Sequence, residues 1–150
     1  MKSKTRIKNT PAKALKRLEK VGKSLAGPDL VKVGLPKGSN NYPDGTSVIM
    51  VGTVHEFGSP LRGIPQRSFL RSTTSGNKRK YRDAFKKLSS QIVDGVITKK
   101  IALSKIGLLV STDVRDKITD INTPPLKSRE GNPLVDTGHL RQSITYVVEE

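Results

Sequence analysis

Residues 78–121 read KRKYRDAFKKLSSQIVDGVITKKIALSKIGLLVSTDVRDKITDI, and this stretch sets the architecture because it holds two long helical periods. Apolar residues recur in it every three or four positions, which is typical of amphipathic helices. They are Tyr81, Ala84, Phe85, Leu88, Ile92 and Val96 in the first period, and Leu103, Ile106, Val110, Val114, Ile118 and Ile121 in the second. The pattern predicts helices near 79–97 and 101–121. Gly95 weakens the end of the first helix, and Gly107 marks a kink or a break in the second.

A third helix is predicted upstream, near residues 11–25. Thr10 and Pro11 form a favourable helix start, with Thr as N-cap and Pro at the first helical position. Gly27 and Pro28 end the pattern. One face is apolar (Ala14, Leu15, Leu18, Val21, Leu25) and the other is cationic (Lys13, Lys16, Arg17, Lys20, Lys23). Residues 1–9 are polar and basic with no period, so we expect a flexible basic arm there.

Three segments have the composition of β-strands, near 30–36, 47–56 and 143–149. The second is rich in β-branched residues, and Ile144, Tyr146 and Val148 alternate in the third. Glycine, asparagine and proline between residues 37 and 45 predict a turn, so we expect the first two strands to pair antiparallel. Together the helices and strands predict an α+β fold with a small antiparallel sheet.

Two irregular segments, 58–66 and 122–138, are rich in proline and glycine. Proline and glycine at this density are incompatible with regular helices or strands, so we expect long extended surface loops. The second segment is long for a simple connection and is expected to be functional or ordered by a partner. At 150 residues the chain is expected to form a single domain, residues 1–150.

Charge is the most unusual feature of the composition. Lys and Arg number 28 against 13 Asp and Glu, a net charge of +15, and residues 1–37 alone hold 11 basic and 2 acidic side chains. Such a field attracts polyanions or an acidic protein. The chain has no cysteine, which excludes disulfides and thiolate chemistry. With neither a signal peptide nor a long apolar run in the sequence, we expect no membrane partner and assembly in a cytoplasm-like compartment.

One tripeptide suggests catalysis. Asp136-Thr137-Gly138 follows two apolar residues and resembles the catalytic turn of aspartic proteases, but only 12 residues follow it, too few for the flap and strands of such an enzyme. We expect a turn or helix cap instead, with Gly138 supplying an unusual backbone angle. The sequence contains no HExxH, GxSxG or phosphate-loop pattern. We therefore predict no catalytic residue, no cofactor and no metal site, and we interpret the protein as a non-enzyme.

A sequence-specific DNA reader is also disfavoured. Residues 100–118 superficially resemble a helix-turn-helix around Gly107, but the second helix would carry Asp113, Asp116 and Asp120 against two cations. That net negative charge opposes entry into a phosphate-lined groove. Any DNA contact is expected to be electrostatic and independent of sequence.

Two phrases carry a more specific pattern. One is Val51–Gly58 (VGTVHEFG) followed by Ile64–Arg71 (IPQRSFLR), and the other is Gly131–Tyr146 (GNPLVDTGHLRQSITY). In this order, with two helices between them, they resemble the tail-completion, head–tail joining and "virion morphogenesis" proteins of tailed bacteriophages. The resemblance covers about residues 30–148. His55 stands where Asn is common in that family, and Ser68 stands where Pro is common.

The resemblance implies a ring-forming structural protein, hexameric in many members, that terminates or completes the tail at the neck. It implies as partners further copies of the chain, adjacent neck or connector proteins and tail tube or sheath proteins, with possible non-specific contact to the genome. It implies localisation in the virion. The positions carried over, for folding and interface formation, are Glu56, Phe57, Gly58, Pro65, Arg67, Phe69, Pro133, Leu134, Asp136, Thr137, Gly138, Leu140, Ser143 and Ile144. Two alternative functions remain, a portal-side connector and a basic nucleic-acid-binding module. Separately, the Glu56 carboxylate is expected to form an ion pair with an arginine such as Arg67.

Overall fold

A computed structural model describes residues 11–28, 30–126 and 131–149. These ranges contain six α-helices and a two-stranded antiparallel sheet, so the predicted α+β class is confirmed. The elements are α1 (Pro11–Leu25), β1 (Leu30–Gly34), α2 (Val48–Phe57), α3 (Leu70–Gly76), α4 (Lys78–Val93), α5 (Lys99–Asp120), α6 (His139–Ser143) and β2 (Thr145–Glu149). The predicted arm at 1–9 and the predicted N-cap Thr10 lie outside the described residues.

Helix α5 is the centre of the fold, and its 22 residues make it about 33 Å long. Thr98 caps its start, because the threonine hydroxyl accepts a hydrogen bond from the amide of Ile101. The sheet, α3, α4 and α6 all pack on this helix. The strands pair antiparallel, with Leu30 opposite Glu149 and Gly34 opposite Thr145. The helix runs through Gly107 as a single element, so a break at that residue did not occur.

Gly107 is required where α5 meets the sheet. A Cβ atom at this position would lie 2.4 Å from Cδ2 of Tyr146 and 2.9 Å from Cγ2 of Val31. Real Cβ atoms do not approach other carbons this closely, so only glycine lets the sheet settle against the helix. This contact joins the first and last strands to the central helix.

The main core lies further along the same face of α5, because Gly107, Val114 and Ile118 are spaced seven and four residues apart. It collects side chains from α2, α5, α6, the start of α3 and the loop before α6. Its buried members are Val48, Phe69, Val114, Ile118, Ile121, Leu134, Leu140 and Ile144. Six of these side chains come from the second helical period and from the second sequence phrase, so distant segments share one core.

The strand predicted at 47–56 is wrong, because this segment is helix α2. Ser47 caps the helix, with its hydroxyl accepting a hydrogen bond from the amide of Met50 at 3.4 Å. Val48, Gly52 and Glu56 are buried, and this spacing of four residues places them on one helical face. Burial of that face overrides the β-propensity of the valines, isoleucine and threonine. The predicted pairing of this segment with the first strand is therefore also wrong, and β2 takes its place.

Other boundaries differ by less. The helix predicted at 79–97 ends at Val93, two residues before Gly95, whose φ is +65°. The strand predicted at 30–36 ends at Gly34, and the strand predicted at 143–149 begins at Thr145 because α6 precedes it. The loop predicted at 58–66 contains a 3-10 turn, Pro60–Arg62, and helix α3 follows it at Leu70–Gly76. The helices predicted at 11–25 and 101–121 are confirmed.

Candidate functional site around Glu56 and Arg67

Glu56 lies at the end of α2 and holds the start of α3. Its side chain is only 4% exposed. The carboxylate accepts hydrogen bonds from the amides of Phe69 and Leu70, each at 2.8 Å, and from the amide of Arg71 at 3.1 Å. These amides are among the first of α3, which have no acceptor within the helix. A negative charge at this position also interacts favourably with the helix dipole. Glu56 therefore acts as the N-terminal cap of a helix 14 residues away.

Two side chains complete the shell of donors around this carboxylate. The Ser68 hydroxyl donates to it at 2.7 Å, and Nε of Arg71 donates at 3.0 Å. Desolvation by burial raises the pKa of the Glu56 carboxyl, but the hydrogen bonds from Ser68, Leu70 and Arg71 outweigh it, so the pKa lies below its ordinary value. The expected pairing with Arg67 is wrong: Arg71 is the ion partner. Ser68, where the phage family commonly has Pro, supplies one of the donors.

Arg67 has a different task, which is to hold the proline-rich loop. This residue is buried at 4% exposure, and its guanidinium donates to the carbonyl oxygens of Pro124 at 2.7 Å and Pro125 at 3.0 Å. Its amide donates to the carbonyl of His55 at 2.7 Å. Burial lowers the pKa of Arg67, yet a guanidinium keeps its charge in proteins. The loop predicted to be functional is thus fastened at its beginning to the first sequence phrase.

The second sequence phrase is fastened to α5 by Asn132, a residue that the sequence analysis did not select. Its amide nitrogen donates to the carbonyls of Ile118 at 3.2 Å and Thr119, near the end of α5. Its side-chain oxygen accepts from the amide of Leu134 at 2.7 Å. The available signal was an Asn-Pro pair in a loop, which predicts a turn but does not identify the helix it contacts.

The turn before α6 agrees with the sequence-based expectation. Gly138 has a φ of +76° and precedes the helix, and the Thr137 hydroxyl accepts from the amide of His139 at 3.4 Å. Ser143 donates its hydroxyl to the carbonyl of His139 at 2.9 Å. Leu134, Leu140 and Ile144 lie in the core with Phe69. The two phrases therefore meet in the core through Phe69.

Five selected positions lie outside the main core cluster. Phe57 is 61% exposed, and the guanidinium of Arg71 lies 4.7 Å from its ring centre. Gly58 ends α2 with a φ of +77°. Pro65 lines an apolar cleft with Pro124 and Pro125, whereas Pro133 and Asp136 line a neighbouring cleft with His139. His55 lies between the two clefts and borders both.

In the cleft lined by Pro133 and Asp136, His139 has two contacts. His139 packs its ring on Tyr42 at 4.6 Å and contacts the carbonyl of Asn40 at 2.7 Å. Within residues 11–28, 30–126 and 131–149, no group of three His, Asp or Glu residues is close enough to hold a metal ion. In the same ranges, no helix is both long and apolar enough to span a membrane.

Comparisons of the chain with protein-family models, with curated proteins and with solved structures found no significant match. The resemblance of the two phrases to phage neck and tail-completion proteins therefore stays a hypothesis, and the geometry of those phrases has to support it.

His55 is expected to make the fold sensitive to mild acid. Burial, and secondly the charge of Arg67, lower the pKa of His55 below its ordinary 6.5. As the pH falls, His55 therefore binds a proton more readily in the unfolded chain than in the folded chain. The contribution of neutral His55 to stability is complete above about pH 6.5 and decreases as the pH falls below it. His55→Asn should flatten the dependence of the urea midpoint on pH between 7 and 5.

The corresponding effect of Glu56 falls in a lower window. The pKa of Glu56 is lowered, so its contribution is present above 4.5 and lost in more acidic solution. The contributions of His55 and Glu56 to stability can therefore be distinguished by their pH ranges. An unchanged slope between pH 7 and 5 in His55→Asn would contradict the role given to His55.

Proposed function

We propose that this protein is a structural virion protein of a tailed phage, a ring-forming tail terminator or completion protein at the head–tail junction. The observation that carries the proposal is the meeting of the two sequence phrases in one unit. Glu56 and Arg67 of the first phrase are used as a helix cap and as a loop clamp, while Leu134, Leu140 and Ile144 of the second fill the core. These side chains hold the fold together, as expected of the structural subunit that the phage resemblance implies.

Exposed apolar side chains support self-association. Leu61 at the tip of the 58–66 loop is fully exposed, and Phe57 and Met50 lie largely in solvent. Contiguous exposed apolar patches mark protein interaction surfaces, whereas single exposed apolar residues are common on monomers. A ring subunit uses two different faces for its neighbours, so several separate patches are expected.

The basic helices favour a second candidate, a nucleic-acid-binding module. Helices α1 and α4 pack together and bring 11 Lys and Arg side chains into one layer. Of these, Arg17 pairs with Asp94 and Lys80 with Asp113. The remaining charge suits DNA phosphates as well as an acidic neighbour in the neck.

A portal-side connector would share every feature above.

Deletion of the gene from a phage that carries it would test the proposal. We expect full heads beside unjoined or overlong tails, with particles restored by the gene in trans. A portal-side connector would instead leave heads that lose DNA beside tails of normal length. Normal virions from the deletion strain would contradict both structural functions.

A solution measurement separates the nucleic-acid module. The ring protein should increase in mass with concentration in light scattering. A nucleic-acid module should stay monomeric and bind duplex DNA with an affinity that falls by orders of magnitude, on the order of 10³ or more, between 50 and 200 mM salt if it makes six or more phosphate contacts.

A further inference from the structure

An apolar cleft lies between the loop 58–66 and the start of the proline-rich loop. Its volume is about 620 Å³, which is in the range of sites that hold small molecules. The residues that line it are His55, Gly63, Ile64, Pro65, Arg67, Pro124, Pro125 and Leu126. Only His55 and Arg67 among them have polar side chains. The cleft therefore combines a large apolar wall with two groups that can orient a ligand, as small-molecule sites do.

Arg67 is a buried cation without a counter-ion. The residue is 4% exposed, and its guanidinium donates only to the carbonyl oxygens of Pro124 and Pro125. Among the residues that the structure describes, no carboxylate lies within 4.0 Å of this guanidinium. By contrast, the largely exposed Arg17 and Arg71 each pair with a carboxylate. Buried charges in proteins are normally paired, so the charge of Arg67 suits an anion that the chain itself does not supply.

His55 has an unused polar atom at the same cleft. Its Nδ1 atom is buried and has no hydrogen-bond partner within the described part of the chain. Burial, and secondly the charge of Arg67, lower the pKa of His55, so the imidazole lies within electrostatic reach of the guanidinium. In the tautomer that carries a hydrogen on Nδ1, this atom is a donor, as the guanidinium is. Both groups therefore suit an acceptor, and an ionised carboxylate only accepts.

The lining offers few backbone donors to a bound peptide. Its three prolines have no amide hydrogen. Three further amides already have acceptors, with Gly63 donating to Pro60, Ile64 to Ser59 and Arg67 to His55. A polypeptide main chain in the cleft would leave most of its carbonyl groups without a donor, which is costly in an apolar site. The lining thus favours an occupant whose polar atoms are confined to one anionic group.

We propose that this cleft binds a small apolar carboxylate, such as a fatty acid of medium length, with its carboxylate against Arg67 and His55. The hydrocarbon body lies along Ile64 and the prolines. A small inorganic anion would satisfy Arg67 but leave the apolar wall in water, and a neutral apolar molecule would leave Arg67 without an anion. The site goes beyond the proposed ring function and does not depend on it.

Octanoate is a suitable probe, because it has one carboxylate and a flexible apolar body. Titration of the isotope-labelled full chain, followed by NMR, should give saturable shifts at the amides of Gly63 and Ile64 and at the Nε hydrogen of Arg67. Octanol has the same apolar body without the charge and should bind about tenfold or more weakly, since the charge-assisted hydrogen bonds are lost. Acetate has the charge without the body and should not shift these signals at the same concentration.

A matched pair of variants tests the role of the guanidinium. Arg67→Met and Arg62→Met each remove one positive charge, and Arg62 is exposed on the 3-10 turn of the same loop. The affinity for octanoate should fall about tenfold or more in Arg67→Met and stay within about twofold in Arg62→Met. Because Arg67→Met also loosens the proline-rich loop, Ile64→Trp provides a second test. It narrows the cleft and leaves Arg67 in place, so it should weaken octanoate binding while the circular dichroism spectrum is retained.

Four results would overturn the inference. Equal affinities for octanoate and octanol would show that the charge of Arg67 is not recognised. Shifts confined to the lysines of α1 and α4, equal in Arg67→Met and Arg62→Met, would show surface attraction only. Full affinity in Ile64→Trp, or no saturable binding at millimolar octanoate, would exclude the cleft as the site. A short acidic peptide that shifted the same amides when octanoate did not would assign the cleft to a protein partner instead. None of these results would change the outcome of the gene deletion, so the proposed ring is tested separately.

Discussion

Glu56→Gln is expected to lower the free energy of unfolding by about 3 kcal/mol. One carboxylate oxygen accepts from the amides of Phe69 and Leu70, and the other accepts from Ser68 and twice from Arg71. Whichever oxygen becomes an NH₂ group, at least two donors then face another donor. Each buried donor left without an acceptor costs about 1–3 kcal/mol. The start of α3 and the anchoring of Phe69 in the core should weaken together.

Urea unfolding followed by circular dichroism would measure this loss. The matched control is Glu19→Gln, the same chemical change on the exposed surface of α1, where an effect within about 0.5 kcal/mol is expected. Equal stabilities of the two variants would contradict the capping role of Glu56. Protonation of Glu56 should destabilise the natural protein below about pH 4.5, and this part of the pH dependence should be absent in Glu56→Gln.

Gly107→Ala is expected to destabilise the protein by about 1–2 kcal/mol, against the usual preference of helices for alanine. The new methyl group would lie 2.4 Å from Cδ2 of Tyr146, with Val31 on the other side. Overpacking of this kind costs about 1–3 kcal/mol, and the gain in helix propensity returns about 1 kcal/mol at most. The sheet should therefore loosen from α5, which near-ultraviolet circular dichroism of Tyr146 would register.

Gly22→Ala provides the opposite expectation at another helical glycine. A Cβ atom at Gly22 would meet nothing within 4 Å, so only the propensity gain remains and the variant should be more stable by up to about 1 kcal/mol. If both glycine variants were stabilised, the close approach of Tyr146 to α5 would be wrong.

The sequence identified most residues of the candidate site but not their connections. Glu56, Arg67 and Phe69 were selected from the first phrase, yet the arginine that pairs with Glu56 is Arg71. Such a pairing depends on how α2 and α3 are placed, and no local pattern encodes that placement. Asn132 was missed for the same reason, because its acceptors lie at the end of α5, 13 and 14 residues earlier in the chain.

By itself the sequence determined the helices of the 78–121 stretch and α1, since their apolar residues repeat with the period of a helix over several turns. It also determined the turn at Gly138, where a positive φ favours glycine. Only the tertiary structure decided that residues 48–57 are a helix and that the first strand pairs with the last. The valines and isoleucine of that segment suit a strand locally, but burying Val48, Gly52 and Glu56 on one face against the core contributes more than β-propensity does.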